Sequence, residues 1–133
     1  VADAGLPLQK ALYALLTEML APIPVYDDVP PDTPTTYVTI GDVVSGDDGD
    51  KTAQGQEHVA AIFVWSKGGT RGREAVKTVL ASIHDALHEQ EAALEIEGHT
   101  TVMVICEASD SVRGADPALW QGIARYRILT ESV

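Results

Sequence analysis

One cysteine stands in 133 residues, so no disulfide can form within the chain, and a lone thiol suits a reducing compartment. Aromatic residues are scarce, with one Phe, two Trp and four Tyr, which leaves the core to aliphatic side chains. Lysine and arginine together number nine against twenty acids, a net charge of −11. Gripping nucleic acid takes clustered bases that neutralise phosphates, so this balance argues against a tight DNA binder, though not against a surface past which DNA slides. No apolar run approaches the ~20 residues of a membrane span, so no membrane partner is expected. What is present is a globular composition, 45% hydrophobic, in a chain of single-domain length. A chain this long can bury roughly two-thirds of its unfolded surface without metals or cross-links.

The most informative stretch runs from His58 to Leu87. Val59 to Trp65 has no charged or amide side chain, which predicts a strand buried on both faces. Val76, Val79, Leu80, Ile83 and Leu87 then recur at helical spacing and give one apolar stripe. Gly68, Gly69 and Gly72 let the chain turn between the two. A second helix is expected over Pro7 to Leu20, from the stripe Leu8, Leu12, Leu15, Leu16 and Met19, and Pro22 and Pro24 end it. Three prolines in Asp27 to Thr36 predict an extended connector. Tyr37 to Val44, Thr101 to Glu107 and Leu119 to Thr130 are the other strands. Ser45 to Gln56 and Ser109 to Pro117 are expected loops. The expected fold is α+β, in the order α-β-β-α-β-β: a four-stranded, mostly antiparallel or mixed sheet with two helices on one face, forming a single domain over 1–133.

Two helices cover only one face of such a sheet. The other face is expected to carry alternate residues of Val59 to Trp65 together with Arg125 and Arg127, a mixed apolar and basic surface of the kind that serves as an interface.

Several constellations invite a chemical reading. Ser66 to Gly72 joins a strand to a helix, where phosphate loops occur, but Lys67 precedes the glycines and no Lys-Ser/Thr pair follows them. It reads as a glycine turn. His84 and His88 lie at i and i+4, as in zinc hydrolases, with Asp85 where those enzymes have Glu. A small metal-binding hydrolase built on this pair is the alternative from another functional class. Cys106, in an apolar strand, is expected to be a buried, inert thiol. Asp47, Asp48 and Asp50 lack the ligand spacing of a calcium loop. No catalytic, cofactor or metal site is assigned.

The charges do form a pattern. Lys67, Arg71, Arg73 and Lys77 cluster at the start of the second helix, where helix stability favours acids. Asp27 to Glu57 holds eight acids and one base, Lys51. These are either solvated faces or the two halves of a head-to-tail contact between subunits, the contact type that closes rings.

The order of these pieces over nearly the full length resembles the tail-completion, or tail-terminator, proteins of long-tailed bacteriophages and gene transfer agents. The resemblance is carried by Leu8-Gln-Lys-Ala-Leu-Tyr-Ala-Leu-Leu, by Val25-Tyr-Asp with the prolines after it, and by Tyr37-Val-Thr-Ile-Gly. It continues through His58 to Ser66, the glycine turn with Arg73-Glu-Ala-Val-Lys, and Trp120-Gln-Gly-Ile-Ala-Arg-Tyr-Arg-Ile-Leu-Thr-Glu. It implies a structural virion protein, assembled in the host cytoplasm, with no enzymatic activity and no cofactor. Such a protein forms a ring, usually of six, that caps the tail tube and joins it to the neck while DNA passes through without specific binding. Its expected partners are other copies of itself, the tail-tube protein and a neck or stopper protein. A role as the stopper itself is the nearer alternative. Lys67, Arg71, Arg73, Lys77, Arg125 and Arg127 are the expected contact residues. Asp47, Asp48, Asp50 and Lys51 are the expected channel or assembly loop, mobile in the free subunit, where negative charge keeps a passing duplex from sticking. In that acidic loop the chain departs from the family pattern.

Overall fold

Leu8, Leu12 and Leu16 repeat every four residues on α1 (Gly5–Met19), and all three are fully buried. The helix has no acid in its first turn and no base in its last, so side-chain charge adds little to its stability. Burial of this stripe holds it, at roughly 1.5–3 kcal/mol per leucine. The structure is a computed structural model and describes residues 5–21, 23–26, 36–47, 55–67, 72–113 and 120–132. After α1 come β1 (Val25–Tyr26), β2 (Thr36–Asp47), β3 (Gly55–Ser66), α2 (Gly72–Leu87), β4 (His99–Arg113) and β5 (Trp120–Ser132).

The sheet has five strands in the order β1-β2-β3-β5-β4, one more than expected. The added strand, β1, is two residues long and runs parallel to β2, with Val25 opposite Val38. A backbone bond from Val38 N–H to the Pro24 carbonyl (3.0 Å) fixes it. The element order is therefore α-β-β-β-α-β-β. All other pairings are antiparallel.

Both helices join one core. Leu8, Leu12 and Leu16 of α1 and Val76, Val79, Leu80, Ile83 and Leu87 of α2 cluster with Val38, Ile40, Ala60, Ile62, Val64, Val104, Ala124, Tyr126 and Ile128. The strand residues in that set alternate along β3 and β5, which places both helices on the same face of the sheet.

The expectation that Val59 to Trp65 is buried on both faces is corrected. Ala60, Ile62 and Val64 are fully buried against the helices, while Val59, Ala61, Phe63 and Trp65 are half-buried on the other side. The expected loop over Ser45 to Gln56 is shorter than its composition implied. Ser45, Gly46 and Asp47 pair with His58, Glu57 and Gln56 as a continuation of the β2–β3 ladder. Asp48, Asp50 and Lys51 lie outside the described residues. Likewise, Ser109 to Arg113, expected in a loop, extend β4 along β5, with Asp110 opposite Ile123 and Arg113 opposite Trp120.

Gly122 sets the distance between α2 and the sheet. A Cβ there would lie 2.6 Å from Val76 Cγ1 and 2.9 Å from Leu80 Cδ1. Gly72 lets α2 begin directly against Trp120, whose Cδ1 would sit 2.4 Å from a Cβ.

Candidate functional site

Strand parity builds the face that the helices leave open. Residues opposite one another on neighbouring strands point to the same side, so Tyr37 stands beside Trp65, Phe63 beside Ile123, Ala61 beside Arg125 and Val59 beside Arg127. Four aromatic rings form a strip at one end. Tyr26 meets Tyr37 edge-on at 6.0 Å, Tyr37 stacks on Trp65 at 6.4 Å, and Trp65 lies 6.2 Å from Phe63. The strip is pinned by a bond from the Trp65 indole N–H to Thr39 Oγ1, 3.0 Å long. Phe63 covers Gly41, where a Cβ would come within 2.5 Å of the ring. Four of the chain's seven aromatic side chains are thus gathered in one place, a concentration that the low aromatic content conceals.

The bases lie beyond the strip. Arg125 is exposed between Ala61 and Ala108, and no ion pair among the described residues engages it. Arg127 is held by Glu57, Nη2 to Oε2 at 3.0 Å. Tyr37 is buried and Tyr26, Phe63 and Trp65 are half-buried, so the strip shows water only part of its area; aromatic side chains and arginine on one surface are the residue types that dominate binding energy in protein interfaces. Arg125 and Arg127 therefore stand on the open face, where the sequence placed them.

The other expected contact residues lie elsewhere. Arg73 and Lys77 are exposed on α2, on the helix side of the sheet. The Arg73 guanidinium sits 5.9 Å from the centre of the Trp120 ring, within cation–π range. Lys77 borders a groove between α2 and β4 with Leu80, Ala81, His84, Ser109 and Asp110. Lys67 is exposed just past β3, and Arg71 lies outside the described residues. Arg73 and Lys77 thus lie on the opposite side of the sheet from Arg125 and Arg127. Asp47 lies in the β2 backbone ladder, opposite Gln56.

His58 escaped attention in the sequence. It is fully buried on the helix side, with Nδ1 2.7 Å from Ser45 Oγ and Nε2 3.1 Å from Thr130 Oγ1. One imidazole thereby ties β2, β3 and β5 together. The order hydroxyl, imidazole, third group resembles a hydrolase triad, but the third group is a neutral hydroxyl. A hydroxyl cannot stabilise an imidazolium as a carboxylate does, so the arrangement works as a clamp. The signal for it was a histidine at the core-facing parity of an apolar strand.

His84 and His88 stack at 4.5 Å. His88 Nδ1 accepts the Cys106 N–H at 3.1 Å, and its Nε2 lies 3.9 Å from Glu89. Among the described residues no group of three His, Cys, Asp or Glu side chains is placed to hold a metal ion. Cys106 is half-buried rather than buried. Opposite it on β5, Tyr126 has its phenol pushed well above the usual value by burial, with the Cys106 thiol and Asp85 adding to the effect.

Fold and surface together define a two-layer α+β subunit whose helices cover one sheet face and whose other face presents aromatic and basic side chains. The chain belongs to the tail completion protein gp17 family, whose model matches residues 8–131. By that family it is a structural protein of a phage-type tail, and its place is in the virion. Its fold is similar to that of a chain in the virion of a native gene transfer agent particle, with a TM-score of 0.82. That match covers 99% of this chain and 100% of the other at 23% identity. No curated protein matches the chain.

Proposed function

We propose that the protein forms a ring, of six subunits, that ends the tail tube and joins it to the neck while leaving a channel for DNA. The role is structural, without enzymatic activity. Its partners are further copies of itself, the tail-tube protein and a neck or stopper protein. The observation that carries this reading is the sheet face that the helices leave open: a strip of aromatic rings beside an exposed Arg125 with no ion-pair partner among the described residues, in a member of the tail completion family. A surface of that composition gains most when a partner removes it from water.

The test is add-back to tails made without this protein. Purified parent protein should cap the tubes with a ring visible by electron microscopy and restore joining to heads. Arg125→Glu, which alters an exposed side chain, should melt like the parent yet join heads at least tenfold less well. Tails that join heads at full yield without any of the protein would overturn the reading.

A further inference from the structure

Charge is segregated along α2. Its first half carries Arg73 and Lys77, with Lys67 just before it and Glu74 the one acid. From residue 78 to residue 112 there is no lysine or arginine, while Asp85, Glu89, Glu91, Glu95 and Glu97 follow one another through the end of the helix and the turn after it. The helix spans 16 residues, so the two ends stand ~24 Å apart. Arg73 and Lys77, at i and i+4, are like charges on one helical face, a destabilising pair. Among the described residues no ion pair engages Arg73, Lys77, Glu95 or Glu97, all of them exposed. Glu89 adds a backbone cost. Its φ is 57°, the left-handed conformation in which helices usually end on glycine, and its carboxylate sits where the helix dipole is negative. Within the subunit the answering contacts are the Arg73 guanidinium over Trp120 and His88 3.9 Å from Glu89; the charges of Lys77, Glu95 and Glu97 meet no ion-pair partner among the described residues.

We propose that α2 carries a head-to-tail contact between copies of this chain, in which Arg73 and Lys77 of one copy face Glu89, Glu95 and Glu97 of the next. This rests on the ring reading above and names the surface through which the copies meet. The occupant is a second copy because one chain carries both halves, and among the described residues no ion pair joins one half to the other. Opposite charges at the start of α2 and in the turn after its end also join unlike surfaces, which is the geometry of rings. The acids of this contact are those of residues 89–97; of the eight acids in the 27–57 segment, only the Glu57 side chain lies among the described residues.

A zero-length carbodiimide, which couples lysine amines to carboxylates, tests the contact directly in a one-to-one mixture of unlabelled and nitrogen-15 protein. The expected products are mixed-isotope peptides joining Lys77 to Glu89, Glu95 or Glu97. The double variant Arg73→Glu/Lys77→Glu should weaken self-association on the order of tenfold or more while melting like the parent. Mixing it with Glu95→Lys/Glu97→Lys should recover association. Assemblies in which Lys77 couples only to other carboxylates, or a mixture that fails to recover, overturn this contact and leave the ring reading standing. A chain that stays monomeric from micromolar to millimolar concentration overturns both.

Discussion

A methyl group at position 122 tests the fold where α2 meets the sheet. Gly122 lies in β5, between β3 and β4, directly under the helix. An added Cβ would be 2.6 Å from Val76 Cγ1 and 2.9 Å from Leu80 Cδ1, against the ~3.5–4.0 Å of an ordinary carbon contact. Both neighbours are buried, Val76 fully and Leu80 to within 6%, so neither side chain can swing away. Relief requires α2 to rise by ~1 Å, and overpacking of this kind costs about 1–3 kcal/mol. Alanine also narrows the unfolded ensemble, which returns ~0.4–1 kcal/mol. Gly122→Ala should therefore destabilise by about 1–2 kcal/mol, a fall in melting temperature of roughly 3–12 °C for a domain of this size. The control is Gly46→Ala, where an added Cβ meets nothing within 4 Å; it should melt at or slightly above the parent. Thermal melts and urea midpoints of the three proteins decide the matter. A Gly122→Ala protein as stable as Gly46→Ala would show that Gly122 does not set the height of the helix.

Two further substitutions probe the sheet. Trp65→Phe keeps a ring in the aromatic strip but loses the bond to Thr39, so the urea midpoint should fall by the equivalent of ~0.5–1.5 kcal/mol with unchanged slope; no fall would mean that this bond contributes nothing. Tyr126 has its phenol raised above the ordinary value by burial, then by Cys106 and Asp85. The folded chain therefore keeps a proton that the unfolded chain releases near pH ~10, and stability that is intact below that value is lost as pH rises further. Between about pH 9 and 11 the parent should lose stability more steeply than Tyr126→Phe, and parallel pH profiles would contradict the assignment.

Where burial writes a pattern into the sequence, the fold was legible. The stripes of α1 and α2, the alternation of β5 with Gly122, Ala124, Tyr126 and Ile128 on the helix side, and the exposure of Arg125 on the opposite face all follow from which side chains leave water. Elements that rest on backbone pairing alone were not legible. β1 has two residues and no alternation to display, and it is held by the Val38–Pro24 bond. Ser45 to Asp47 and Ser109 to Arg113 are polar, yet they extend their strands because a neighbour supplies the ladder. Composition records burial rather than hydrogen bonding, so polar strand ends look like loops. The same limit explains the two-sided burial expected of Val59 to Trp65. Uninterrupted apolar residues state that water is unwelcome on both faces, not that this chain covers both.

That difference bears on function. Val59, Phe63 and Trp65 stay partly exposed on a face that the subunit's own helices cannot reach, and Val44 beside them is 69% exposed. The bases divide in the same way, with Arg125 and Arg127 on the open face and Arg73 and Lys77 on α2 behind the sheet. A subunit that met only its own kind would need one pair of complementary surfaces. A subunit that ends a tube must also grip a partner of a different sequence, through a surface its siblings leave free. The sheet separates the two surfaces proposed for these roles: α2 with the turn after it, whose opposite charges are proposed to meet a second copy, and the aromatic face, whose Arg125 has no acid to answer it among the described residues. Under that division Arg125→Glu spoils joining to tails while subunits still associate, and Arg73→Glu/Lys77→Glu spoils association first.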